Sequence, residues 1–340
     1  MRPMSRTGAN PVLVELTRGP IVESVHRGAI AVCDGSGRAT LALGDVEAPV
    51  YPRSAFKMMQ ALPLIETGAA DAFKVSAKEL ALACASHSGE DFHVKTAARW
   101  LKRLGCSERD LACGPHLPGN EAAARRMQRG RKEPTRLHNN CSGKHTGFLC
   151  TACHMGEPVA GYVGVEHPVQ MRVRRAIGEL CGVTPEAMPW GIDGCAAPNF
   201  ALPLKALATG FARLADPSGL SSARAAAASR LMAAVRAHPL HQSGTGRSDA
   251  AMIAAATGGT VVKIGAEGVY SAAIPALGLG VALKIDDGAG RAAETAMAAI
   301  LVRLGVLEGS GAAARSFTAA PIRNWRGDLC GERRPAAALA

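Results

Sequence analysis

Aromatic side chains are scarce in this chain: they make up 4% of its 340 residues, as 3 Trp, 3 Tyr and 7 Phe. A protein that binds exposed nucleic acid bases needs rings to stack them on, so this class is disfavoured despite a formal net charge of +11. The basic residues are scattered, and their densest group, Arg125-Arg126-Met127-Gln128-Arg129-Gly130-Arg131-Lys132, lies between a short helix and Pro134 and reads as a solvated loop. Long apolar runs are missing too. No segment is long enough to span a bilayer, and the stretch from Met1 to Arg6 opens without an apolar export core. The expectation is a cytoplasmic protein with neither nucleic acid nor membrane as partner. In that compartment its ten cysteines read as buried thiols, metal ligands or reactive groups rather than as a disulfide framework.

Several familiar signatures fail as well. None of His87, His93, His138 and His145 belongs to an H-E-x-x-H arrangement, so nothing in the spacing points to a metallohydrolase. Gly143-Lys144-His145-Thr146 lacks the upstream glycine of a phosphate loop, and no serine or threonine follows its lysine directly. Cys150-Thr151-Ala152-Cys153-His154 fits the c-type haem pattern, but it continues a helix from Lys144 and no export signal precedes it.

What is present is a chain with 48% hydrophobic residues and plentiful alanine and glycine, longer than one compact core usually allows. Its first fifty residues alternate as strands, over 12–17, 21–26, 28–34 and 40–44, with Asp34-Gly35-Ser36-Gly37 as a turn. Helical patterns follow over 54–66, 76–85 and 92–104, and later over 220–237. Strand patterns return over 260–265, 269–274 and 280–285, before a last helix over 291–304. Strands at both ends with helices between predict an α+β fold, with an antiparallel sheet formed from both chain ends and a helical lobe from the middle. The expected lobes are 1–50 with 255–325 for the sheet and 51–254 for the helices, with 326–340 as a tail. The active cleft is expected between them.

Ser54-Ala55-Phe56-Lys57 places a hydroxyl and an amine three residues apart at the first turn of a predicted helix, where they share one face. A serine becomes a nucleophile when a base takes its proton, and a neutral lysine can be that base. An ordinary lysine, with a pKa of about 10.4, is neutral in only about one molecule in 2500 at pH 7, so the site must disfavour the charged form. Burial and neighbouring cations do so, and Arg53, Lys57 and Lys263 in one cleft would repel one another. Ser86-His87-Ser88-Gly89-Glu90 brings polar groups abruptly after an apolar run, and Lys263-Ile264-Gly265 is an imperfect counterpart of the Lys-Thr/Ser-Gly strand facing S-x-x-K helices. Two Ser-Lys pairs result: Ser54 with Lys57 for attack, and Ser86 with Lys263 for relaying a proton to the leaving group, with the two serines open to exchange. For a substrate carboxylate, Gly246 and Arg247 within Gly244-Thr245-Gly246-Arg247 compete with Arg53, against the alternative of an ordinary loop.

Several blocks together resemble one family. They are Asn10-Pro11-Val12, residues 18–24, Arg53-Ser54-x-x-Lys57, residues 86–90, residues 138–145, residues 191–198 and residues 263–268. In this set and order the chain is similar to the rhizobial-type L-asparaginases, whose fold is related to the serine β-lactamases and penicillin-binding proteins. The resemblance implies hydrolysis of L-asparagine to aspartate and ammonia by a homodimer. It also implies one zinc ion per subunit, held by Cys141, Lys144, Cys195 and water, with Asp193 orienting a bound water or contacting substrate. Spacing alone gives no recognisable zinc pattern, and Asp193 reads equally well as a turn residue before Gly194. The competing expectations are a β-lactam or D-amino-acid peptide hydrolase with the same Ser-Lys chemistry, and a catalytically silent zinc-binding protein.

Overall fold

The computed structural model describes residues 9–339, so the opening stretch from Met1 to Arg6 lies outside the described residues. The chain divides into two units: one takes Met1–Ala55, Leu202–Asp216 and Ala255–Ala340, the other Phe56–Ala201 and Pro217–Ala254.

The first unit is built on one eight-stranded sheet whose described pairings are all antiparallel. Its strands are β1 (Val12–Arg18), β2 (Ile21–Asp34), β3 (Ala39–Leu43), β4 (Val261–Ile264), β5 (Val269–Ile274), β6 (Leu279–Ile285), β7 (Ala320–Arg323) and β8 (Leu329–Pro335). The order is β7-β8-β1-β2-β6-β5-β4, with β3 also paired to β2. Both chain ends therefore enter one sheet, giving the expected α+β class. Two strands expected over 21–26 and 28–34 are one continuous strand. The apparent break falls where β2 changes partner: residues up to Arg27 pair with β1, and Gly28 onward pairs with β6. Gly28 is needed at that crossing, because a Cβ there would lie 2.4 Å from the Lys284 carbonyl oxygen.

The tail expected over 326–340 is corrected by the structure. Residues Leu329–Pro335 form β8, which lies between β1 and β7. Its Arg333-Arg334-Pro335 end looks unlike a strand because this part of the sheet is only half-buried. Arg334 faces Glu15 across the pair and reaches its carboxylate at 3.2 Å. The helix Leu204–Ala215, expected in the helical lobe, also belongs to this unit. It lies directly on the backbone of Gly280, where a Cβ would stand 2.0 Å from the Ala208 carbonyl oxygen. The helix Gly290–Arg303 packs against β5 and β6 as well.

The second unit is mainly helical. Its centre is the helix Ser142–Met155, buried on every side from Ser142 to Ala152, as expected of a helix without a polar face. Around it pack Leu62–Glu66, Ala77–Ala83, Asp91–Arg103 and Pro168–Cys181. Gly143 allows the closest approach, since a Cβ would meet the Leu82 carbonyl oxygen at 2.3 Å. Ser76 and Glu79 form a reciprocal capping box at the start of Ala77–Ala83. Arg224 pairs with both Glu66 and Glu179. The single helix expected over 54–66 is a 3₁₀ turn at Arg53–Phe56 followed by Lys57–Gln60 and Leu62–Glu66. Pro63 explains the interruption, because it has no N–H to give the carbonyl four residues earlier. No helix among the described residues is long and apolar enough to cross a membrane.

Candidate active site

In the helical unit, Lys57 is the centre of a polar cluster. It is completely buried, and its Nζ donates to the Ala85 carbonyl oxygen at 2.5 Å, to Ser86 Oγ at 3.1 Å and to Cys141 Sγ at 3.0 Å. Ser86 lies just past the end of Ala77–Ala83 in an extended run stitched to two other segments. Its N–H donates to the Gln242 carbonyl, the His87 N–H to that of Asn140, and the Ser88 N–H to that of Ser243. Gly244 fits only because it lacks a side chain, since a Cβ would lie 1.9 Å from Ser88 Oγ. Glu90 Oε1 fastens the same loop, accepting from Ser88 Oγ at 2.7 Å and from the Thr245 N–H at 2.8 Å.

The histidines beside Ser86 are neutral and structural. His87 Nδ1 accepts from the Gly89 N–H, so Nε2 carries the proton and donates to Ser142 Oγ at 2.9 Å. Burial holds its pKa well below the ordinary range, helped by His93 and Lys57. His93 likewise accepts at Nδ1 from the Glu90 N–H and donates from Nε2 to the Leu240 carbonyl. Burial brings its pKa down to about 4.

A second cluster adjoins the first through Cys141. The N–H of Cys141 is held by Asn139 Oδ1 at 2.9 Å, and its Sγ also donates to Asn140 Oδ1 at 3.0 Å. One helical turn on, the buried Lys144 donates to Cys195 Sγ at 3.1 Å. Cys195 arrives on the turn of the hairpin Trp190–Ile192 and Pro198–Phe200. That turn is closed by Asp193 N–H to Ala197 O and Ala196 N–H to Asp193 O, with Ala196 at φ +71°. The hydrogen bond from Cys141 lowers the Cys195 thiol pKa against the effect of burial, and Lys144 lowers it further. The same bond, with burial, raises that of Cys141. Burial pulls the Lys144 ammonium pKa down, but Cys195, Cys141 and Asp193 together outweigh it and leave the pKa raised. Cys195 is thus the sulfur whose ionised form its neighbours favour, with Lys144 as donor. Two sulfurs and an amine suit a soft divalent ion such as zinc once the thiol and the ammonium give up their protons. No group of three His, Cys, Asp or Glu side chains arranged for a metal occurs among the described residues. His145 adjoins this set: Nδ1 meets Tyr162 Oη at 2.6 Å, while Nε2 is buried without a hydrogen-bond partner.

In the sheet unit, Ser54 and Lys263 come from segments packed on each other. Gly265, next to the end of β4, presses on the turn carrying Ser54: a Cβ would lie 2.6 Å from Pro52 O and 3.0 Å from Ala55 N. Ser271 Oγ ties the two together, donating to Ala55 O at 2.8 Å, with Lys263 O at 3.3 Å. Lys263 is fully buried, and its Nζ donates to Ile264 O at 2.7 Å. Arg53 has φ +54°, a conformation costing an L residue about 1–3 kcal/mol. Its guanidinium lies 4.0 Å from Glu267, itself at φ +58°. Three of the five non-glycine positive-φ positions among the described residues, at Arg53, Ala196 and Glu267, thus flank Ser54, Cys195 and Lys263.

Of the sequence candidates, the helical unit gathers Lys57, Ser86, Cys141, Lys144 and Cys195, with Asp193 acting electrostatically on Lys144. The sheet unit gathers Arg53, Ser54 and Lys263. Gly246 and Arg247 are exposed on the loop anchored by Glu90. Glu90, Asn140 and His145 stood inside quoted motifs without a role. Their positions follow from folding contacts that no spacing rule encodes, except that His145 next to Lys144 marked a polar residue on a buried helix.

Among known families, the model described as L-asparaginase II matches residues 14–335. No curated protein matches the chain.

Proposed function

The chain belongs to the L-asparaginase II family, and from that premise, which makes it an amidohydrolase acting on L-asparagine, we propose that a serine–lysine pair carries the reaction. Ser54 attacks the side-chain amide carbon, Lys57 takes the hydroxyl proton after releasing one of the three N–H protons its contacts use, and ammonia leaves to give an aspartyl ester. Water then hydrolyses the ester to aspartate. Ser86 and Lys263 are assigned to proton delivery toward the departing ammonia. Arg53, Asp193, Gly246 and Arg247 are assigned to the substrate's charged ends.

The observation that carries the serine–lysine pairing is the buried Lys57 amine, hydrogen-bonded to the Ser86 hydroxyl at 3.1 Å, while Ser54 as the attacking group rests on its place in Ser54-x-x-Lys57. The strained Arg53 beside Ser54 supports it, since strain of this kind collects at functional positions. That hydrogen bond also favours a second reading in which Ser86 is the nucleophile, because Ser86 is the hydroxyl that Lys57 contacts. Ammonia release from L-asparagine distinguishes the two. Ser54→Ala is expected to lose at least about 10³-fold in kcat and Ser86→Ala about 10²-fold. Near wild-type turnover by Ser54→Ala with a dead Ser86→Ala would exchange the roles; two active variants would remove the serine mechanism.

Cys141, Lys144 and Cys195 are proposed to hold one zinc ion, their donor set fitting a soft divalent cation. When bound, such an ion supplies a fixed positive charge for orienting polar substrate groups. The fold is proposed to be related to the serine β-lactamases, supported by a single antiparallel sheet joining both chain ends. A chromogenic β-lactam assay tests whether the related activity is present. A cytoplasmic setting is proposed, and a homodimer is expected by family resemblance.

A further inference from the structure

Outside the site, one pair of side chains has reactive chemistry that the reaction does not use. Cys106 Sγ and Cys153 Sγ lie 3.8 Å apart, and both thiols are only partly buried, whereas seven of the ten cysteines are buried. Cys106 follows the end of the helix Asp91–Arg103, just past the positive-φ turn at Gly105, with its N–H on the Leu101 carbonyl. Cys153 sits in the last turn of Ser142–Met155. These two helices pack together, so both thiols are carried by ordered elements. The sequence pattern couples Cys153 with Cys150, but Cys150 is buried and directs its thiol to the Ala69 carbonyl oxygen at 3.8 Å. No third metal-type side chain joins the two sulfurs among the described residues, which leaves dithiol chemistry.

We propose that Cys106 and Cys153 form an oxidisable pair, converted by a low-molecular-weight disulfide of the glutathione type into an intramolecular disulfide. One of the two thiols loses its proton and attacks the small disulfide, forming a mixed disulfide and releasing one small thiolate. The second thiol then loses its proton, its thiolate attacks the protein sulfur of the mixed disulfide, and the second small thiolate leaves. The protein thus gives up two electrons and two protons, and the small disulfide becomes two thiols. A bonded pair needs a sulfur separation of about 2 Å, so the sulfurs must close by less than 2 Å, within the reach of side-chain rotation. Burial and the neighbouring Cys153 push the Cys106 thiol up to about 12, so exchange is slow at neutral pH and quickens as pH rises. The bridge would join the end of one helix to the far end of the helix whose first turn carries Lys144.

The test uses the full-length protein, reduced, desalted and incubated with oxidised glutathione, then alkylated, digested and mapped. The expected result is a linked peptide pair containing Cys106 and Cys153, and a Tm rise of roughly 5 °C that dithiothreitol reverses. Cys150→Ser should still form the bridge. Cys106→Ser should instead keep glutathione on Cys153 and show no rise. Stable glutathione adducts at both cysteines, a Cys150–Cys153 bridge, or unmodified thiols after prolonged incubation at pH 8.5 would each overturn the proposal.

Discussion

Lys57 concentrates the chemistry of the polar cluster on one atom. Full burial of an amine is costly unless its hydrogens are placed, and here an acceptor carbonyl, a hydroxyl and a thiol surround it. Methionine is close to lysine in shape and has no charge to bury. Lys57→Met should therefore leave urea stability within about 1 kcal/mol of wild type, while ammonia release falls by about 10²–10⁴-fold. Unfolding of the variant would mean that the amine is a structural anchor, and retained activity would remove it as the base. At this scale the motifs holding Lys57, Ser86 and Cys141, which meet in the structure, were legible in the sequence, while the catalytic roles of Ser54, Lys57, Ser86 and Lys263 are a proposal. The partner of Lys57 was less legible. Its contact with Ser86 depends on the loop after Ala77–Ala83 being stitched to Gln242 and Ser243, a long-range contact that local spacing cannot express.

The elements show where local patterns suffice and where they fail. Helix Asp91–Arg103 was legible from its apolar spacing, and its start is fixed by Glu90 and His93, which cap each other. This cap carries a pH signature. His93 is fully buried and its pKa falls from 6.5 to about 4, so the unfolded chain binds the proton more tightly than the folded one. Stability from this group is full above pH 6.5 and declines as pH falls toward 4. Between pH 7 and pH 5 the loss is about 2 kcal/mol, with His87 acting in the same direction. Urea unfolding at the two pH values should show it, and His93→Gln should flatten the dependence; an equal slope in the variant would contradict the assignment. Strands were legible in position but not in continuity, as β2 shows by exchanging partners at Gly28. Strand β8 was hidden by two arginines, of which Arg334 finds its partner, Glu15, 319 residues away.

For the whole molecule, composition led to the right class, since strand patterns at both ends and helices between them gave an α+β protein with an antiparallel sheet. It could not show that the helix Leu204–Ala215 would belong to the sheet unit, because the bare backbone of Gly280 that receives it lies some seventy residues further on. The proposed zinc site depends on the whole chain, because Cys195 reaches Lys144 from 51 residues away. Protein purified without chelator should contain about one zinc per chain, and Cys195→Ala should lose it while keeping the fold by circular dichroism. Zinc-free protein with full activity would overturn that assignment. The central claim is that a serine hydroxyl, activated by a lysine amine, takes the aspartyl group from asparagine. Its most direct test is acid quenching during turnover, followed by peptide mapping for an aspartyl ester. The ester is expected on the peptide containing Ser54; rapid turnover with no ester on Ser54 or Ser86 would contradict this mechanism.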